Sequence, residues 1–298
     1  MRIGIDLGGT KIEGIILAPD YSVLTRHRIA TPASDYKETV EAVCSVVNRL
    51  QTEADMRLSV GIGTPGALSA ETGTMKNCNS ICLNGKPLKS DIEAQLGYAV
   101  RLENDANCFT LSEVLQGAGR PYRSVFGVIL GTGTGGGIVI DKTLVTGANG
   151  IGGEWGHNPI PAPARKLIGD DRACYCGRVN CVETILSGRG LQQTHLEQHG
   201  ASLPANEIAG HARAGDAAAL ATIESYCAQL AICLATVINI LDPEAIVLGG
   251  GLSNIELIYE MTPTHLGPHV FSDSVLTRLL PPSFGDASGA RGAACLWL

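Results

Sequence analysis

The sequence carries no excess of basic charge. Its 298 residues hold 22 Lys and Arg against 29 Asp and Glu, a formal net charge of −7, and no basic run with interleaved aromatics occurs. Nucleic acid is therefore not an expected partner. Long apolar runs are missing too: the candidates are broken by Gly, Asn or Asp before the roughly 18–20 residues a membrane helix needs, which argues against a membrane protein. The opening "MRIGIDLGGTK" alternates like a strand and turns on glycine, leaving no room for a charged and apolar signal segment, so a cytoplasmic location is expected. Low-complexity tracts, solenoid-period repeats and Ser/Gly/Pro-rich linkers are absent, and the length suits two α/β lobes joined by a hinge.

What is present is a succession of short β-branched runs ("RIGID", "IEGIIL", "SVGIG", "SVFGVIL", "GGIVI", "AIVLG") alternating with helical patterns, the mark of α/β architecture. Apolar residues at three- and four-residue steps predict a helix over 36–54, with Asp35 as N-cap and Glu38 as its reciprocal partner. Further helices are expected from Asn104 or Asp105 to Gly117 and over 216–241. Of ten cysteines, seven are scattered singly and read as reduced core filler. Cys174, Cys176 and Cys181 are clustered, which in a cytosolic protein favours a metal over a disulfide.

Three strands run directly into glycine: "IGIDLGGTK" (3–11), "GVILGTGTGGGIVI" (127–140) and "AIVLGGGLSN" (245–254). Glycine lets backbone N–H groups approach a phosphate, so the recurrence suggests a nucleotide cradle. None matches the P-loop, and "GTGTGGG" continues into a strand, which also rules out the dinucleotide fingerprint.

Taken in order, "GIDLGGTK", "LENDANC", "GTGTGGG", "GEWGH", "CYCGRVNCVE" and "VLGGG" resemble the ROK family of sugar kinases over essentially the whole chain. The resemblance implies an actin-like (ribonuclease H-like, Hsp70-like) fold. Two α/β lobes then clasp ATP and a sugar across a cleft: residues 1–118, completed by a C-terminal helix over 287–298, and residues 119–286, which carry the zinc loop and dimerisation helices. A homodimer is expected by the same likeness. "KNCNSICLNG" and "GEWGHNPIP" with "CYCG" are most similar to fructokinases of the fructose/mannose type, with N-acetylglucosamine and glucose kinases as the alternative.

Phosphoryl transfer needs positioning, charge neutralisation and a carboxylate that takes the hydroxyl proton. Asp105 is the expected base; a helix N-cap is its bland alternative. The resemblance assigns sugar contacts to Asn104, Glu154, His157, Glu183, Gly66 and Asn79. It gives Asp6 the water-mediated hold on Mg²⁺, and makes Gly8, Gly9, Thr10, Lys11, Thr132 and Gly133 phosphate-loop residues. Gly249 and Gly250 are assigned to the nucleotide, before a helix expected near Ser253.

His157, Cys174, Cys176 and Cys181 supply one nitrogen and three sulfurs at C-x-C and C-x₄-C spacing, a structural zinc pattern with no open position. Zinc would stiffen the intervening aperiodic segment. Glu154 and Glu183, each within three residues of a ligand, would then be aimed at the sugar, with pairing to Arg165, Arg172 or Arg178 as the alternative. Two positions depart from the family pattern: Asn180 replaces a common glycine, and Cys82 stands where an aromatic is frequent. The expected activity is ATP- and Mg²⁺-dependent phosphorylation of a hexose 6-hydroxyl, fructose first. A sugar-sensing regulator is the non-enzyme rival, disfavoured by Asp105 and by a kinase motif that starts at Ile3.

Overall fold

The computed structural model describes every residue except Ala33, Asp286 and Ala287. The chain forms two compact units, one made of Met1–Arg120, Gly137–Gly152 and Phe284–Leu298, the other of Pro121–Gly136 and Gly153–Ser283. The boundary expected at 286/287 lies outside the described residues.

In the first unit, β1 (Arg2–Leu7), β2 (Lys11–Leu17) and β3 (Val23–Ala30) form an antiparallel meander, followed by α1 (Tyr36–Ala54) and β4 (Val60–Thr64). A small hairpin of β5 (Ala67–Leu68) and β6 (Met75–Lys76), then α2 (Leu88–Leu96), β7 (Arg101–Asn104) and α3 (Asp105–Gln116) complete this run. The sheet order is β3-β2-β1-β4-β7, with β4 parallel to both β1 and β7. Side chains alternate across a strand, and β2 shows the result. Ile12 and Ile16 join the core of Val43, Val47 and Leu50 from α1, while Ile15 and Leu17 join Leu111 of α3 on the other face.

Helix α1 has the predicted bounds, and Asp35 accepts from Glu38 N at 3.0 Å. The reciprocal half of the cap is missing, because Asp35 N donates instead to Pro32 O at 3.3 Å.

β8 (Ser124–Leu130) opens the second unit. The chain passes back to the first along β9 (Thr134–Ile140), which makes a hairpin with β10 (Thr143–Leu144). The lobe bounds implied by the resemblance put residues 137–152 in the second lobe. They belong to the first unit because Gly137 lies against α3: a Cβ there would sit 2.5 Å from Thr110 Oγ1 and 2.8 Å from Ala106 O.

The second unit continues through the short α4 (Ala162–Arg165) and α5 (Glu183–Leu186), then α6 (Gly188–His199), α7 (Ala205–Arg213), α8 (Ala217–Leu241), β11 (Ala245–Gly249), α9 (Glu256–Leu266) and β12 (Arg278–Leu280). Strand β11 lies parallel between β8 and β12. Asp216 caps α8, accepting from Ala219 N at 2.8 Å. This helix corrects one expectation, since by length and composition it could cross a membrane. Its 18-residue window has a mean hydropathy of 1.5, and 67% of that window is buried inside the protein, as in a core helix. The chain ends on α10 (Ser288–Ala294) and a 3-10 turn, Cys295–Trp297, so the final helix is shorter than the predicted 287–298.

Candidate active site

Sheet register assembles the first group of residues. β1, β4 and β7 run parallel with Asp6 opposite Gly63 and Gly63 opposite Glu103, so Asp6 and the Glu103–Asn104 step end two strands apart. At the usual inter-strand spacing that is about 10 Å. Buried Cys108 reports the same grouping: its thiol is pushed well above the ordinary range by burial and then by Glu103, Asp6 and Asp105.

Asn104, not Asp105, caps α3: its side-chain oxygen accepts from Ala106 N at 2.9 Å and Asn107 N at 3.4 Å. Asp105 is the first helical residue, and its Oδ1 accepts from Ala106 N at 2.8 Å. Behind them Glu103 Oε1 accepts from Asn104 N and Asn107 Nδ2, both at 2.9 Å, which holds the β7–α3 junction in shape.

The first glycine loop is the β1–β2 turn. Gly8 N donates to Lys11 O at 3.0 Å, and Thr31 Oγ1 donates to Gly8 O at 2.7 Å, bracing Gly8, Gly9, Thr10 and Lys11. Ser80 lies beside Gly9. Asn79 is exposed next to Cys78, whose backbone is clamped by Asn84 through Cys78 N to Oδ1 at 2.8 Å and Nδ2 to Cys78 O at 2.9 Å. Gly66 is buried, and a Cβ there would meet Cys78 Sγ at 2.5 Å, so packing accounts for that glycine. Cys82 packs, partly buried, against the main core.

The second group lies in the other unit. His157 Nδ1 is 3.6 Å from Cys174 Sγ, Cys176 Sγ is 3.6 Å from Cys181 Sγ, and the four donor atoms lie within 4.8 Å of one another. Zn–S of about 2.3 Å and Zn–N of about 2.0 Å give tetrahedral edges of about 3.5–3.8 Å; the two 3.6 Å separations match such an edge, while the set as a whole is looser, its atoms lying within 4.8 Å of one another. Cys176 is drawn down to about 6: burial opposes this, but hydrogen bonds from Arg178, Cys174 and Cys181 outweigh it. Burial, then its neighbours, push Cys181 up to about 12.

Asn180 has φ 57°. It adds what glycine would not, accepting from Arg172 N and donating to Asp171, both at 2.8 Å.

The arginines weighed as partners for the glutamates are engaged elsewhere: Arg165 pairs with Asp171 at 2.6 Å, Arg172 with Glu197 at 2.8 Å, and Arg178 with the Cys176 thiol. Glu183 Oε2 accepts from Thr134 N at 3.0 Å, in the second glycine loop beside Thr132 and Gly133. Half-buried Glu154 precedes the 3-10 turn Trp155–His157.

Sequence reasoning missed Tyr175. Its hydroxyl meets His157 Nε2 at 3.0 Å and its ring stands edge-on to the imidazole at 5.1 Å. The far nitrogen of His157 is therefore held by a phenol, where the resemblance implied a sugar contact. Burial and then Glu183 and Glu154 raise the Tyr175 pKa, placing the phenol near both carboxylates. An aromatic flanked by two cysteines was the available signal.

In the third loop Gly249 is buried and Gly250 has φ 80°. The helix expected near Ser253 begins later. A 3-10 turn, Gly251–Asn254, comes first because Ser253 Oγ and N both bond back to Gly250 O, and α9 starts at Glu256.

Parallel strands delivering carboxylates to a helix start, together with strand-to-glycine turns in both units, define a protein of the actin-like α/β fold class. Residues 2–298 match the ROK family, and the chain belongs to it. It is 39% identical over 303 residues to an N-acetyl-D-glucosamine kinase of Yersinia pseudotuberculosis, covering 100% of this chain and 99% of that protein. Among solved structures, a ROK family glucokinase from Streptomyces griseus in complex with glucose and AMPPNP superposes with a TM-score of 0.83 at 28% identity, covering 99% of this chain and 98% of that one. A ROK hexokinase from Thermus thermophilus gives 0.85 at 29% identity, with 98% and 96% covered.

Proposed function

We propose that the protein is an ATP-dependent hexose kinase whose acceptor is N-acetyl-D-glucosamine. The observation that carries the kinase reading is the β7–α3 junction. Asn104 takes the capping role, so the carboxylate of Asp105 is not required to start the helix, and it stands with Asp6 and Glu103 around Cys108. Asp105 accepts the proton of the sugar hydroxyl as the new oxygen–phosphorus bond forms and ADP leaves. Mg²⁺ held through water by Asp6 would neutralise charge on the transferred group. Gly8, Gly9, Thr10, Lys11, Thr132, Gly133, Gly249 and Gly250 are the nucleotide-binding residues of this reading.

Asn104 supports sugar binding: its Nδ2 has no hydrogen-bond partner among the described residues and can donate to a sugar oxygen. Asn79, Glu154 and Glu183 complete that set, while His157, with one ring nitrogen at the cysteine cluster and the other on Tyr175, does not belong to it. The four donors of His157, Cys174, Cys176 and Cys181 would hold zinc as a structural clip. The choice of sugar rests on the full-length relative named N-acetyl-D-glucosamine kinase, which favours the alternative over the fructose suggested by the 76–85 string.

The test is ADP release by the purified protein with Mg²⁺-ATP and, separately, N-acetylglucosamine, glucose, fructose, mannose and N-acetylmannosamine. The highest kcat/KM is expected with N-acetylglucosamine. A preference for fructose would restore the motif-based reading of the acceptor, and no turnover with any sugar would remove the kinase reading.

A further inference from the structure

Thr134 is gripped from two sides. Its N–H donates to Glu183 Oε2 at 3.0 Å. Its carbonyl oxygen lies so close to Gly156 that a Cβ there would fall 1.9 Å away, which seats the turn carrying His157 against it. One residue earlier, a Cβ on Gly133 would come within 2.6 Å of the same Glu183 oxygen. Further back, Gly131 O accepts from Gly188 N at 2.8 Å, just beyond α5. The second glycine loop is thus tied to the 183–188 segment at both ends.

We propose that Glu183 is a positioning residue that latches this loop to the cysteine loop, so that order around His157, Cys174, Cys176 and Cys181 sets the shape of the loop that receives the nucleotide. The nucleotide part rests on the kinase reading above. Glu183 stands two residues after Cys181, and its other oxygen lies 3.9 Å from Cys174 Sγ, so whatever fixes the cysteines also fixes the carboxylate. A loop built only to receive phosphate has no use for a carboxylate on one of its N–H donors, since like charges repel. Here the Thr134 N–H serves loop shape, and the phosphate must be met by the other groups of the loop.

Glutamine at 183 keeps an acceptor oxygen and loses the charge, whereas alanine loses both, so the two variants separate the latch from any role of the charge toward sugar. Two measurements read it: amide hydrogen exchange at Thr134, and calorimetric titration with Mg²⁺-AMPPNP in the absence of sugar. In Glu183→Ala the Thr134 amide exchanges faster and AMPPNP binds about tenfold more weakly, the scale of one charge-assisted hydrogen bond. Glu183→Gln keeps wild-type exchange and binds AMPPNP as tightly as wild type or more tightly, having lost the repelling charge. Wild-type protein stripped of metal by a chelator behaves like Glu183→Ala.

Gly133→Ala displaces the carboxylate without touching residue 183 and also speeds exchange at Thr134, which decides the matter if Glu183→Ala does not fold. Unchanged exchange and unchanged AMPPNP affinity in Glu183→Ala would overturn the latch. A wild-type protein that binds no AMPPNP would instead overturn the kinase reading, leaving Thr134 exchange to decide the latch alone.

Discussion

Asp105 and Asn104 stand side by side at the expected start of a helix, the N-cap being the bland alternative for Asp105, and the backbone separates them. Asn104 is extended, at φ −62° and ψ 147°, and caps α3, whereas Asp105 is already helical. If Asp105 is the base, Asp105→Asn keeps shape and sugar affinity while kcat falls on the order of 10²–10⁴-fold. Steady-state turnover close to wild type would reject the assignment.

His195 gives a second prediction at this scale. It is 2% exposed and hydrogen-bonded to Thr222 Oγ1 at 2.7 Å, whose own proton goes to Ala218 O at 3.0 Å, so the ring donates from Nδ1. Burial and then His199 hold its pKa below the ordinary 6.5. The unfolded chain therefore binds this proton first, so the contribution of His195 is complete above about pH 6.5 and declines as pH falls below it. Urea midpoints at about pH 7.5 and about pH 5.5 should differ less for His195→Asn than for wild type. An equal acid shift in both proteins would show that His195 is not the group responsible.

At the scale of elements, the cysteine loop is the most legible part of the site, because ligand chemistry restricts residue type and spacing together. Its short helices α4 and α5 and two isolated bridges, Pro159 with Cys181 and Ala173 with Val179, leave little regular structure to hold it. Cys176→Ser is accordingly expected to lose bound zinc, measured by elemental analysis, and to lower Tm by several degrees. A variant with full zinc content and wild-type Tm would remove the clip.

The glycine loops were less legible. Glycine is compatible both with a phosphate approaching and with a neighbouring chain pressing in, and a single sequence does not distinguish them. Gly133 and Gly137 both meet packed neighbours, Glu183 in one case and α3 in the other. The start of α9 moved for a similar reason, since Ser253 bonds back to Gly250 and forms a 3-10 turn first.

For the molecule as a whole, two α/β units were legible from alternating strand and helix periods, but the return of residues 137–152 to the first unit was not. That assignment depends on Gly137 meeting α3, about 30 residues away in the chain. Helix α8 shows the same limit: its composition suits a bilayer, and only its burial identifies it as core. A kinase with one nucleotide site and one sugar site should unfold at higher temperature when both are filled. Mg²⁺-AMPPNP with N-acetylglucosamine, each at about 100 times its Kd, is expected to add up to about 2.7 kcal/mol per ligand. Thermal scans in which fructose protects and N-acetylglucosamine does not would reverse the proposed choice of sugar.

The sequence by itself determined the α/β class, the helix over 36–54 and the four zinc-type donors, because each depends on local periodicity or on residue chemistry at fixed spacing; Asp105 as base came only with the family resemblance. Tertiary structure decided which of Asn104 and Asp105 caps α3, that Tyr175 holds the far nitrogen of His157, and that Glu183 grips Thr134. Those are contacts between segments distant in the chain or choices of backbone angle, and hydrogen-bond geometry exists only once the chain has folded.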